Sequence, residues 1–219
     1  MLDLLADRPE SEGLSVLCLG AHSDDIEIGC GGTLLRLRDE VPDLEMRWIV
    51  FSGAGKRAEE ARESARRLLG DTPSTEVEVL EFRDGFFPDD WAEIKSAFEK
   101  LKSGRSPDVI MTHHGDDRHQ DHRVVSELTW NTFRDHLILE YEVPKWDGDL
   151  GQPNLYVPLE EETARRKAHH LVDTFQSQRD RAWFDEDTFL GLMRLRGVEC
   201  VSPARYAEAF HARKVVLRV

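Results

Sequence analysis

Two short clusters hold the residues best suited to chemistry: His22-Ser23-Asp24-Asp25 and, almost a hundred residues later, His119-Gln120-Asp121-His122. A catalytic zinc commonly takes three protein ligands from His, Asp or Glu and leaves a fourth position to water, whose pKa falls to roughly 7. His22, Asp25 and His122 supply such a set, and Asp24 is then free to accept a proton from that water. Two adjacent carboxylates with separate tasks are tolerable where a cation neutralises one of them, because each otherwise raises the pKa of the other. His119 and His122 stand one helical turn apart, so both face one site if a helix begins there. Asp121 suits the role of a carboxylate partner that fixes an imidazole's tautomer and raises its basicity for proton donation. Whether it orients His119 or His122 depends on where that helix starts.

Each cluster follows an apolar run, and the elements around them repeat a strand-then-helix rhythm. Leu14 to Gly20 is apolar at almost every position and predicts a buried strand; Ile26 to Arg38 has one apolar helical face, with Gly29, Gly31 and Gly32 near its start. The glycine spacing is not that of a dinucleotide-binding fingerprint. Strands are predicted at Glu45 to Phe51, Val77 to Phe82, Asp108 to Thr112 and Leu137 to Val143. Helices are predicted at Ala58 to Leu69, stopped by Gly70, at Asp89 to Leu101, with Asp89 or Asp90 near its N-cap, and at His119 to Asp135. Such alternation implies a Rossmann-like three-layer α/β/α fold with a mostly parallel sheet, whose strand carboxyl ends carry the site. Beyond Pro144 comes a turn-rich loop containing Trp146, then helices over Glu161 to Phe175 and Asp187 to Arg196 and an alternating tail from Tyr206 to Leu217. With no internal repeat and no second-domain boundary, residues 1–219 read as one domain.

Composition narrows the partners. The chain has 29 Lys and Arg against 43 Asp and Glu, a net charge of -14, which repels nucleic acid and anionic lipid surfaces. The acidic stretch from Met1 to Gly13 lacks a basic region followed by an apolar core, and no run is long enough to span a bilayer. Cys18, Cys30 and Cys200 are odd in number and lack zinc-knuckle spacing, which points to a reducing, cytoplasmic setting. Cys30 reads as a small buried residue, Trp91, Trp130 and Trp183 as core, and Trp146 as a loop residue placed to touch substrate. His113 and His114 end a strand and line the cleft; His169 and His170 belong to a polar helix, and His136 and His211 have no partner pattern.

Ala21-His22-Ser23-Asp24-Asp25-Ile26-Glu27-Ile28-Gly29-Cys30-Gly31-Gly32 resembles the signature of the PIG-L/LmbE-like de-N-acetylases, usually Ala-His-Pro-Asp-Asp. His119-Gln120-Asp121-His122-Arg123 resembles that family's second motif, His-x-Asp-His, in the expected order and spacing. The likeness runs from about Leu14 through Val125. Arg57-Ala58-Glu59-Glu60 is similar to the family's Arg-x-x-Glu helix, and Asp84-Gly85 to an Asp-Gly turn between the motifs. The resemblance implies zinc-dependent hydrolysis of an N-acetyl group on an amino sugar or its conjugate, with Zn2+ or another divalent cation such as Fe2+ as cofactor. By position it makes His22, Asp25 and His122 ligands and Asp24 the general base. His119 is then the group that stabilises the oxyanion or protonates the departing amine, Asp121 holds an imidazole, and Arg57 contacts substrate. Ser23 replaces the usual proline, removing a fixed φ from the turn but no chemical group.

The expected substrate is an N-acetylated sugar, sugar nucleotide or glycoconjugate, walled by the turn from Asp84 to Pro88 with Phe86 and Phe87, and by Tyr141 and Trp146. An oligomer is compatible with the sequence. A non-haem iron oxygenase could use the same two-His, one-carboxylate triad, but the strand pattern is not that of a jelly roll and Asp24 would have no task. A non-catalytic sugar-binding protein with a relict site is the third reading.

Overall fold

The computed structural model describes residues 13–70 and 74–216; the amino-terminal stretch before Gly13 and the last three residues of the chain, which include the end of the alternating tail, lie outside the described residues. β1 (Leu14–Gly20) is buried at every position. Its side chains alternate between two cores, Leu14, Val16 and Cys18 on one face and Leu17 and Leu19 on the other. That two-sided burial is why the run carries no polar alternation. There follow α1 (Asp25–Glu40), β2 (Leu44–Val50), α2 (Lys56–Leu69), β3 (Thr75–Val79), α3 (Trp91–Lys102), β4 (Val109–His113), α4 (Gln120–Thr132) and β5 (Leu137–Tyr141). The chain continues with β6 (Leu155–Leu159), α5 (Glu161–Thr174), α6 (Glu186–Glu199) and β7 (Tyr206–His211).

The seven strands form one sheet in the order β3-β2-β1-β4-β5-β7-β6. β1 to β5 pair in parallel, and β7 runs antiparallel to both β5 and β6. Residues of α1, α2, α5 and α6 fill the core on one face, those of α3 and α4 the core on the other. This is the three-layer, mostly parallel architecture expected from the alternation of elements.

Three details differ from the sequence reading. β6 lies where the sequence predicts no strand, and it contains Pro158; as the last strand of the sheet it tolerates a residue with no N–H to donate. β3 begins and ends earlier than Val77 to Phe82. Trp91, expected in the core, is 37% exposed. Helical spacing aligns Trp91 with the buried Ile94 and Phe98, but spacing fixes a face of a helix, not how far the core extends toward its first turn. Trp130 and Trp183 are partly buried against the cores, as expected.

The strand order reverses between β1 and β4: β2 and β3 lie to one side, β5 to the other. At such a switch point the connections leave in opposite directions and open a crevice at the carboxyl ends of the two strands. The His22 cluster leaves β1 and the His119 cluster follows β4, so topology brings both to that crevice.

Candidate metal centre and active site

Backbone pairing of β1 with β4 stops at Cys18 and Met111, while β1 with β2 continues to Gly20 and β4 with β5 to His113. Into the resulting gap project His22 from the turn after β1, Asp25 from the first turn of α1 and His122 from the first turn of α4. His22 Nδ1 lies 3.2 Å from His122 Nε2 and 3.2 Å from Asp25 Oδ2, and His122 Nε2 lies 3.5 Å from Asp25 Oδ1. Ligand atoms about 2.0–2.2 Å from a tetrahedral ion stand about 3.3–3.6 Å apart. Each pair of the three residues thus lies near that spacing, with His22 and His122 facing different oxygens of Asp25. Ligand atoms of Asp25, His113 and His122 also cluster within 4.8 Å of one another, as do those of His22, His119 and His122, and of His22, Asp84, His119 and Asp121. This donor set fits a divalent cation, since it mixes neutral imidazoles with a concentration of carboxylates.

The surroundings set the protonation states. Burial pushes the Asp25 carboxyl up, but the charges of His122, His113 and His22 outweigh it and hold the group well below the usual carboxylate range. Burial drives His122 down to about 4, helped by His113, so its imidazole is neutral near pH 7, as a ligand must be. Burial also opposes charge on His22, but Asp25, Asp121 and Asp84 prevail and raise it well above its usual value without a cation, so cation binding there would displace a proton. Asp24 is 4% exposed; burial, then the neighbouring Asp25 charge, push its carboxyl up to about 6 against the pull of Arg57 and His22. A carboxylate in that range is a competent base near neutral pH.

Asp121 orients neither His119 nor His122 through its side chain. It accepts the amides of Gly85 (2.6 Å) and Phe87 (3.1 Å) and faces His22 Nε2 at 3.2 Å. Burial pushes its carboxyl up, but those bonds hold it below the usual range. The partner of His122 is instead Asp117, whose Oδ2 lies 2.8 Å from His122 Nδ1; Asp117 Oδ1 accepts the His119 amide at 2.7 Å. Lys145 Nζ in turn sits 3.0 Å from Asp117 Oδ1 and 2.6 Å from Asp149 Oδ2. Sequence reasoning misses Asp117 and Lys145, because nothing in their spacing announces a pairing that only the folded loops create.

His119 occupies the N-cap of α4, and its Nδ1 accepts the Asp121 amide at 3.3 Å. That bond leaves Nε2 as the protonated nitrogen of the neutral ring. Burial, then the charge of His22, hold its pKa below the usual imidazole value. Its ring meets His22 edge-on at a centroid distance of 4.8 Å.

At the rim, Asp84 Oδ1 lies 3.1 Å from His22 Nε2 while its Oδ2 accepts from Arg57 Nη1 at 2.7 Å. Trp146 is 63% exposed and follows Lys145 in sequence; it meets Trp183 edge-on at 6.3 Å. Phe87 and Tyr141, expected to wall the cleft, are fully buried. Glu27, in the first turn of α1, is also fully buried, and neither carboxyl oxygen finds a hydrogen-bond partner among the described residues. Burial pushes it well above the usual range; the nearby Ser64 hydroxyl is engaged by His170 at 2.7 Å. A cavity of about 600 Å³ lies away from this chemistry, between β3, the amino ends of β1 and β2, and the end of α3.

The crevice at the switch point, its clustered His and Asp side chains and the adjacent buried carboxylate form a candidate metal site of the hydrolase kind on a doubly wound sheet. Residues 17–133, more than half of the chain, match the family model of PIG-L, GlcNAc-PI de-N-acetylase. The chain belongs to this deacetylase family. The uncharacterized deacetylase YaiS of Escherichia coli K12 is 32% identical over 152 residues, which are 64% of this chain and 79% of YaiS. Among solved structures, the conserved protein TT1542 of Thermus thermophilus superposes with a TM-score of 0.72 at 24% identity, over 94% of this chain and 97% of that one. N,N'-diacetylchitobiose deacetylase of Pyrococcus horikoshii gives 0.66 at 21% identity, over 90% and 82%. At these identities the structures speak for the fold.

Proposed function

We propose that the protein is a zinc-dependent N-deacetylase that hydrolyses the acetamido group of an amino sugar, sugar nucleotide or glycoconjugate. The observation that carries this reading is the meeting of His22, Asp25 and His122 across the β1–β4 crevice, 3.2 to 3.5 Å apart, with Asp24 buried beside them. Membership of a de-N-acetylase family and the YaiS likeness support the same chemistry.

His22, Asp25 and His122 would hold the cation, which when bound would supply a Lewis acid that polarises the amide carbonyl and makes water more acidic. Asp24 accepts the proton of the attacking water. His119, neutral and protonated on Nε2, donates a hydrogen bond to the carbonyl oxygen as negative charge develops there. The proton taken by Asp24 is then available to the amine nitrogen as the C–N bond breaks. Asp121 holds His22, and Arg57 with Asp84 presents a paired donor and acceptor to sugar hydroxyls at the rim. Trp146 offers an aromatic face to a sugar ring or aglycone. We place the protein in the cytoplasm: all three cysteines are free and buried, and no helix among the described residues is long and apolar enough to cross a membrane.

The test is a panel of N-acetylated sugars, sugar nucleotides and glycoconjugates incubated with zinc-loaded protein, reading acetate release and oxygen uptake. Acetate without oxygen uptake is expected, and Asp24→Asn should retain metal while losing about 10²–10⁴-fold in turnover. Oxygen uptake without acetate, or full turnover in Asp24→Asn, would refute the assignment.

A further inference from the structure

Where β1 and β4 part, two backbone groups on the facing edge of β1 lose their ladder partners inside a buried region. Such groups are costly if left unpaired. Both are taken by side chains from the neighbouring strands. The Leu19 carbonyl accepts from the Tyr141 hydroxyl of β5 at 2.7 Å, and the Ala21 amide donates to His113 Nε2 of β4 at 2.9 Å. The next amide, that of His22, donates to Asp25 Oδ2 at 2.6 Å. Consecutive N–H groups of the ligand-bearing turn are thus held by an imidazole and by a ligand carboxylate.

His113 is itself fully buried. Its ring stacks on His122 at a centroid distance of 3.9 Å and an interplanar angle of 22°, and its Nε2 lies 3.3 Å from Asp25 Oδ2. Its other nitrogen, Nδ1, is buried with no partner among the described residues. The Ala21 amide makes Nε2 an acceptor, so its lone pair is already engaged.

We infer that His113 is a positioning residue: it replaces the missing β1–β4 rung at Ala21, locks the turn that carries His22, and backs the His122 ring without itself ligating the cation. This rests on the reading of His22, Asp25 and His122 as ligands. The requirement is for an acceptor at the Nε2 position, which a glutamine carbonyl can meet and a phenylalanine ring cannot.

The experiment uses Co2+ as probe, with His113→Phe and His113→Gln compared to the native chain. Co2+ affinity and visible ligand-field absorption are measured together with hydrogen exchange of the Ala21 amide in metal-free protein. His113→Phe should bind Co2+ about 10–100-fold more weakly and expose the Ala21 amide to exchange, while His113→Gln recovers most of both. Equal loss in the two variants would make His113 a ligand and overturn the inference, as would native affinity and slow exchange in His113→Phe. Should His113→Phe fail to fold, His113→Gln alone decides: native-like absorption and a protected Ala21 amide support the role, and loss of either refutes it. Failure of the native chain to bind Co2+ would instead sink the metal reading, while the Ala21 exchange comparison would still judge His113.

Discussion

Gly29 is selected by the close approach of Tyr141, and replacing it with alanine tests how tightly the floor of the site is built. A Cβ at Gly29 would stand 2.1 Å from Tyr141 Cδ2 and 2.4 Å from Cγ. Carbon atoms in contact prefer about 3.5–4.0 Å, so the ring must retreat by roughly 1.4 Å or more. It is fully buried and pinned by its hydroxyl bond to Leu19. Overpacking costs about 1–3 kcal/mol, and leaving the Leu19 carbonyl unpaired about 1–3 kcal/mol more. Alanine returns about 1 kcal/mol through its better helix propensity. The net expectation is a loss of about 3 kcal/mol, equivalent to a melting temperature lower by about 6–12 °C for a chain of this size. Urea and thermal unfolding of Gly29→Ala measure it, and a Gly29→Ala, Tyr141→Leu double variant should show strong non-additivity because the smaller side chain relieves the clash. A Gly29→Ala protein as stable as the native one would refute the reasoning.

Three further outcomes follow from the contacts. Asp117→Ala removes the carboxylate that orients His122 Nδ1 and should weaken zinc binding about 10–100-fold in a chelator competition; unchanged affinity would show that another group sets that ring. Burial lowers His170 to about 4 from an ordinary 6.5, so between these values the unfolded chain binds a proton that the native one does not. Its stabilising contribution is complete above pH 6.5, falls as pH drops and is gone below about 4. Urea midpoints across that window should slope less in His170→Gln, and parallel slopes would contradict the assignment. Glu208 accepts from the Gly32 and Thr33 amides and from Lys167 Nζ, all buried. Glu208→Gln removes the anion paired with Lys167 and leaves its Nζ the Ile28 carbonyl, which should cost about 3–5 kcal/mol in urea unfolding; a loss under about 1 kcal/mol would mean that the carbonyl and solvent suffice for the charge.

Local chemistry wrote much of this protein into its sequence. The run from Leu14 to Gly20, apolar at almost every position, reads as a strand covered on both faces, and the alternation that follows it implies a parallel sheet with a helix layer on each side. His-Ser-Asp-Asp and His-Gln-Asp-His are legible as candidates for a ligand set and a base because metal coordination restricts residue type and spacing within each cluster, and the fold brings both clusters to one crevice. β6 escaped notice because Pro158 and a short length suit a sheet edge, whose pairing depends on a distant β7. The assignment of partners escaped for the same reason. That Asp121 turns to His22, that Lys145 meets Asp117 and that His113 takes the Ala21 amide all depend on groups far apart in sequence, and Asp117 reaches the nearby His122 only through the path of the loop before α4. Side-chain pairing across the β1–β4 crevice is set by strand order, and strand order is a property of the whole sheet rather than of any segment within it.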